Sequence, residues 1–122
     1  MAYDPNNIFA KILRGEIPCD KVYEDDHTLA FRDIAPKAPV HVLIIPKGAY
    51  VSWDDFSANA SDVEIAALVR AVGKVARDEG VAEEGYRTLS NIGRNGHQEV
   101  PHLHIHLFGG RSLGAMLPMA SG

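Results

Sequence analysis

Near the start of the chain, apolar residues fall at Ile8, Phe9, Ile12 and Leu13. That spacing predicts a short helix, because positions three and four apart share one helical face. Gly15 offers a C-terminal cap, and Pro18 prevents resumption. Three extended segments follow. Lys21–Glu24 is brief, residues 29–34 alternate around Arg32 and Asp33, and Val40–Pro46 is β-branched and apolar. The Glu24-Asp25-Asp26-His27 cluster between the first two has the composition of a hairpin turn.

The clearest element comes next. Ser61 and Glu64 have capping-box spacing. After them Ile65, Leu68, Val69, Val72, Val75 and Ala76 predict one apolar helical face, and Gly80 supplies the stop. Residues 86–92 and 102–108 are further strand candidates, joined by the polar, glycine-containing loop GRNGHQEVP. Strands, then a long helix, then strands with hairpin turns predict an α+β fold with a mainly antiparallel sheet.

Composition narrows the function classes. A chain of 122 residues with 46% hydrophobic and 23% charged residues suits one packed domain. The net charge of −4 and the absence of a basic stripe argue against a duplex nucleic-acid binder. A small anionic ligand stays possible, because a few local donors suffice to bind phosphate. The single cysteine, Cys19, cannot form an intrachain disulfide. No segment is apolar enough to span a bilayer, and MAYDPNN lacks the order of a signal peptide. The expected location is the cytoplasm, without a membrane partner.

The chemistry concentrates in VPHLHIHLFGG. In a strand, His102, His104 and His106 would share one face, with Leu103, Ile105 and Leu107 turned to the core. Neutral imidazole is a nucleophile when one ring nitrogen is free and the other is held as a donor. Neighbouring imidazolium groups would donate to phosphate oxygens as charge develops. Three histidines can also ligate zinc with an open position, so a metal site is the competing reading. Against it, only Glu99 is a nearby candidate carboxylate.

HLHIHLF fits the alternating signature of the histidine triad (HIT) superfamily. The following Gly109-Gly110-Arg111, with FRDIAPKAPVHVLIIPK and IFAKILRGEIP, resembles its Hint branch. The resemblance runs from about Ile8 to Leu117 within a single domain spanning 1–122, with 118–122 as a tail. It implies a five-stranded sheet with two helices, in homodimers whose sheets join across the interface. It also implies hydrolysis of the P–N bond of purine nucleoside 5′-phosphoramidates, without metal or other cofactor, through a nucleotidyl-histidine intermediate. By that resemblance His104 is the nucleophile, His102 orients it, His106 contacts phosphate, and His41 is a fourth histidine linked to the triad. Asp33 would accept from both ribose hydroxyls, while Ile8, Phe9, Ile12, Phe31 and Ile34 would form the base slot. Asn91 would lie near the scissile bond, and His97, Gln98 and Glu99 would belong to a loop whose amides contact phosphate.

Three positions depart from the family pattern. His97 replaces a common glycine, Pro101 replaces a bulky residue before the first triad histidine, and Glu99 stands where animal members have serine. Proline removes one backbone donor, so the strand is expected to start later. The tail lacks the tryptophan of animal members, and Met116 and Leu117 are expected to influence the leaving amine. Two other readings remain open: a Fhit-like dinucleoside polyphosphate hydrolase, and a nucleotide-binding regulatory module with little turnover.

Overall fold

The computed structural model describes residues 2–117. Along them run α1 (Ile8–Leu13), β1 (Lys21–Glu24), β2 (Thr28–Arg32), β3 (Val40–Pro46), α2 (Trp53–Asn59), α3 (Asp62–Asp78), β4 (Tyr86–Leu89) and β5 (Ile105–Gly109). The strands form one five-stranded sheet in the order β1-β2-β3-β5-β4. Every neighbouring pair is antiparallel. The α+β architecture agrees with the sequence reading, with one helix more than the two expected.

The extra helix is α2. It carries only two large apolar side chains, Trp53 and Phe56, too few to register as a periodic face. Its readable signal is the cap. Ser52 Oγ accepts from the Asp55 amide at 3.3 Å, and the Asp55 carboxylate accepts from the Val51 amide at 2.8 Å. In α3 the Ser61–Glu64 capping box forms with both of its reciprocal bonds. Beyond its C-terminus, Gly80 takes a φ of +76°, which favours glycine.

Alternation along the strands sorts side chains onto two faces. Ala30, Val42, Ile44, Ile105 and Leu107 pack with Leu68, Ala71 and Val75 of α3. Leu29, Phe31, Leu43 and Ile45 pack with Phe9 of α1 on the opposite face. β3 is therefore covered on both sides, which accounts for its unbroken apolar sequence. The stripe expected on α3 is narrower than its sequence suggests. Val69 is 60% exposed, and the buried positions are Leu68, Ala71, Val75 and Ala76.

Three strands are shorter than expected at the ends that matter for the site. β2 stops at Arg32 because Asp33 opens a turn, its Oδ1 accepting from the Ala35 amide at 2.8 Å. β5 starts at Ile105, opposite Ile44. His102, Leu103 and His104 precede it, outside the ladder. Pro101 has no N–H to give. The amides of His102 and Leu103 donate instead to Val100 O (2.9 Å) and Tyr50 O (2.8 Å). The triad is thus only partly a strand: His106 sits in the ladder, while His102 and His104 are held by other bonds. β4 likewise ends at Leu89, short of the expected Ile92. Among the described residues no helix is long and apolar enough to cross a membrane.

Candidate active site

The hydrogen bonds around the histidines assign their protons. His102 is fully buried. Its Nε2 lies 2.8 Å from the carbonyl oxygen of Pro46, so that nitrogen carries the proton. Its Nδ1 then accepts from the Tyr3 hydroxyl at 2.6 Å. The backbone carbonyl of His102 accepts from His104 Nδ1 at 2.8 Å. The proton of His104 is therefore on Nδ1, and Nε2 keeps its lone pair. Phe9 packs edge-on against the His104 ring at 4.9 Å.

A second chain of bonds reaches His106 from the other side. The Lys37 amide donates to His41 Nδ1 at 3.2 Å, which puts the His41 proton on Nε2. That N–H donates to His106 Nδ1 at 2.9 Å. His106 consequently carries its own proton on Nε2. Asp33 Oδ2 stands 3.5 Å from His41 Nε2. The His104 and His106 rings are 5.1 Å apart. A free lone pair and an N–H donor thus sit side by side.

Gly109-Gly110-Arg111, beginning at the last residue of β5, supports this second chain. Arg111 donates to the Lys37 carbonyl at 3.0 Å, clamping the segment that carries the Lys37 amide. Gly109 and Gly110 leave room for the turn. A Cβ at Gly109 would meet Val81 at 2.8 Å, and one at Gly110 would meet Pro39 at 2.9 Å with φ at +92°.

Burial sets the charge of the cluster. Loss of water pushes the His102 and His106 imidazoles down to about 4, with help from neighbouring histidines. Burial also lowers His104 and His41, partly offset by Asp33. All four rings are neutral near pH 7.

A cleft of about 780 Å³ opens over this arrangement. Ile8, Phe9, Ile12, Phe31 and Ile34 line it, as do Asp33, His41, Asn91, His97, Glu99, His104 and His106. Ile34 is 97% exposed, an unusual cost for a large apolar side chain on an open surface. His102 and Gln98 do not line the cleft. His102 lies behind His104. Gln98 is scaffold: its amide nitrogen donates to Val51 O and Val100 O, and its oxygen accepts from the Gly93 amide. Two of the three loop amides also differ from expectation. Those of His97 and Gln98 are spent within the loop, on Arg94 O and Gly93 O. His97 holds a φ of +57°, a conformation that costs a side-chain-bearing residue energy where glycine pays none.

Sequence reasoning missed Tyr3 and Lys37. Tyr3 lies far from the triad in sequence, and only folding brings it to His102. Lys37 stands four residues before His41, and its contribution runs through the backbone, which side-chain patterns do not reveal. Met116 and Leu117, expected to influence the leaving amine, are exposed at 81% and 71% and do not line the cleft. The tail 118–122 lies outside the described residues.

Asp33, His41 and His106 place one donor atom each within 4.8 Å of one another, close enough to hold a metal ion. The Lys37 amide works against that use. It fixes the His41 proton on Nε2, the atom a metal would need free.

The HIT-domain family model matches residues 14–113. The chain belongs to the HIT family. This HIT protein is 50% identical over 110 residues to the purine nucleoside phosphoramidase of Escherichia coli K12, covering 90% of this chain and 92% of that one. It is 68% identical over 115 residues to an uncharacterized HIT-like protein of Azospirillum brasilense, covering 94% of each. Among solved structures it resembles a HIT family hydrolase from Clostridium thermocellum. That match has a TM-score of 0.84 at 42% identity and covers 93% of this chain and 97% of the other. A HIT family hydrolase from Legionella pneumophila gives a TM-score of 0.82 at 46% identity, with 89% and 96% covered.

Proposed function

We propose that this HIT protein hydrolyses purine nucleoside 5′-phosphoramidates to the nucleoside monophosphate and an amine. The observation that carries the reading is the unlike pair facing one cleft, a free His104 Nε2 beside a protonated His106 Nε2. The similarity to a purine nucleoside phosphoramidase supports the substrate class.

The base enters the slot of Ile8, Phe9, Ile12, Phe31 and Ile34, where it covers the exposed Ile34. Asp33 accepts from the ribose hydroxyls, since a carboxylate can take two donors at once. His104 Nε2 attacks phosphorus, and the P–N bond breaks. Binding of the anionic phosphoramidate brings one extra proton onto the His106–His41 pair; the departing nitrogen takes that proton, leaves as the neutral amine, and the pair returns to its neutral form. Water then attacks the nucleotidyl-His104, returns a proton to the pair and releases the monophosphate. A nitrogen leaving group can be protonated as it departs, so each step uses only these side chains and water.

The chain acts as a homodimer in this reading. Among the described residues β4 is an edge strand of the sheet. Beside it Trp53, Val69, Val72, Tyr86, Leu89 and Ile92 line an apolar groove of about 610 Å³. Pairing two such edges would continue the sheet and cover both grooves. The site of action we infer is the cytoplasm, with a nucleotide substrate and neither nucleic acid nor membrane as partner.

Rates on an adenosine 5′-phosphoramidate and on a diadenosine polyphosphate test the reading. Faster turnover of the phosphoramidate is expected. Preference for the polyphosphate would indicate the Fhit-like reaction, and negligible turnover of both would indicate a binding module.

A further inference from the structure

Tyr3 lies before the first helix and outside the span of the family match. Its hydroxyl is 2.6 Å from His102 Nδ1, and its ring packs edge-on against that imidazole at 5.5 Å. His102 has no exposed surface in the folded protein, so the donor to its Nδ1 is Tyr3 and not bulk water. The direction of the bond is fixed by the other end of the ring. Nε2 faces the Pro46 carbonyl at 2.8 Å and must carry a proton, because a lone pair there would face another lone pair. Nδ1 of the neutral ring is then an acceptor, and Tyr3 O–H is its donor.

The bond matters because His102 lies outside the sheet ladder. β5 begins only at Ile105. The carbonyl that holds His104 therefore has no strand partner on its own residue to keep it in place. It is fixed by the His102 and Leu103 amide bonds and by the imidazole, tied at one end to β3 and at the other to Tyr3.

We propose that Tyr3 is a positioning residue of this site: it anchors the Nδ1 end of the His102 ring, whose Nε2–H is set by the Pro46 carbonyl, and so fixes the carbonyl that orients His104. Through it, the segment leading into the base-slot helix is tied directly to the triad. The proposal rests on the reading of His104 as the attacking group. Tyr3 does not touch the reacting atoms and takes no part in proton transfer.

The experiment compares Tyr3→Phe with the same position carrying 4-aminophenylalanine, which restores a donor in place of the hydroxyl. Turnover of an adenosine 5′-phosphoramidate is measured together with nitrogen NMR of the histidine rings. Tyr3→Phe should lower kcat about five- to tenfold, the scale of one unmade buried hydrogen bond, with KM within about twofold. The His102 Nδ1 resonance should move as the bond is lost. 4-Aminophenylalanine should restore kcat to within about twofold of the original. Equal kcat in all three proteins would overturn the proposal. So would a loss shared equally by the two variants, or a change confined to KM. If Tyr3→Phe does not fold, the spectrum of the unaltered protein decides: His102 protonated on Nε2 with Nδ1 hydrogen-bonded is expected, and protonation on Nδ1 overturns it. Absence of turnover in the unaltered protein would instead sink the phosphoramidase reading, while the ring spectrum would still report on Tyr3.

Discussion

The backbone carbonyl of His102 accepts a hydrogen bond from His104 Nδ1 at 2.8 Å. Because the acceptor is main chain, replacing the His102 side chain cannot remove it directly. The two histidines should therefore respond differently to truncation. His104→Ala removes the attacking nitrogen and should cut kcat by about 10⁴-fold or more. His102→Ala keeps the carbonyl but removes a fully buried ring tied to Pro46 and Tyr3. It should cost about 2–4 kcal/mol of stability, and it should lose at least about a hundredfold less activity than His104→Ala. Steady-state rates and urea unfolding check both halves. Equal rate losses would remove the distinction between nucleophile and support.

Asp33 offers one oxygen to the Ala35 amide and lies close to His41 with the other. If it also holds the ribose, Asp33→Ala should raise KM about tenfold or more, the scale of a lost charge-assisted bond. A 2′,3′-dideoxynucleoside phosphoramidate should show a similar defect with the unaltered enzyme and little further loss with Asp33→Ala. Additive losses from the two changes would place the ribose elsewhere.

The buried histidines make stability depend on pH in a defined window. In the unfolded chain His102 and His106 titrate near 6.5, whereas in the fold burial holds them down to about 4. Between those values the unfolded chain binds protons that the native protein refuses. Their contribution is complete above pH 6.5 and is lost as pH falls toward 4. His104 and His41 shift in the same direction. Melting temperature should fall steadily from pH 6.5 to 4.5 and change little from 7 to 8. A flat profile across the acid window would mean that these rings are charged or exposed in the native protein.

Val69, at 60% exposure, sits on α3 beside β4, an edge strand among the described residues. A charge there should be tolerated by a monomer and resisted by an interface that buries it. Sedimentation should show a dimer for the unaltered chain and a shift toward monomer for Val69→Glu. An unaltered chain that sediments as a monomer at micromolar concentration would contradict the homodimer.

The sequence reading reached most of the sheet because the controlling signals are local. Alternation, the Ser61–Glu64 cap and the turn at Asp25 lie within a few residues of what they determine. It also brought His41, Asp33 and the α1 residues to one site, through a family pattern rather than through spacing. It missed what depends on tertiary contact. The triad reads as continuous strand, yet Pro101 and the Tyr50 carbonyl hold its first half out of the ladder. Val69 reads as core because periodicity alone does not fix the edge of a buried stripe. Gln98 reads as a backbone contact to phosphate, but its amide donates to the Gly93 carbonyl within the loop. The burial that lowers the histidine pKa values is likewise not visible in the residue order.

The covalent intermediate tests the central claim most directly. The protein is mixed with an adenosine 5′-phosphoramidate, quenched within the first turnover and digested for peptide mass spectrometry. An adenylyl group on His104, absent from His104→Ala, is the expected result. An adduct on another residue, or equal turnover by the original protein and His104→Ala, would contradict it.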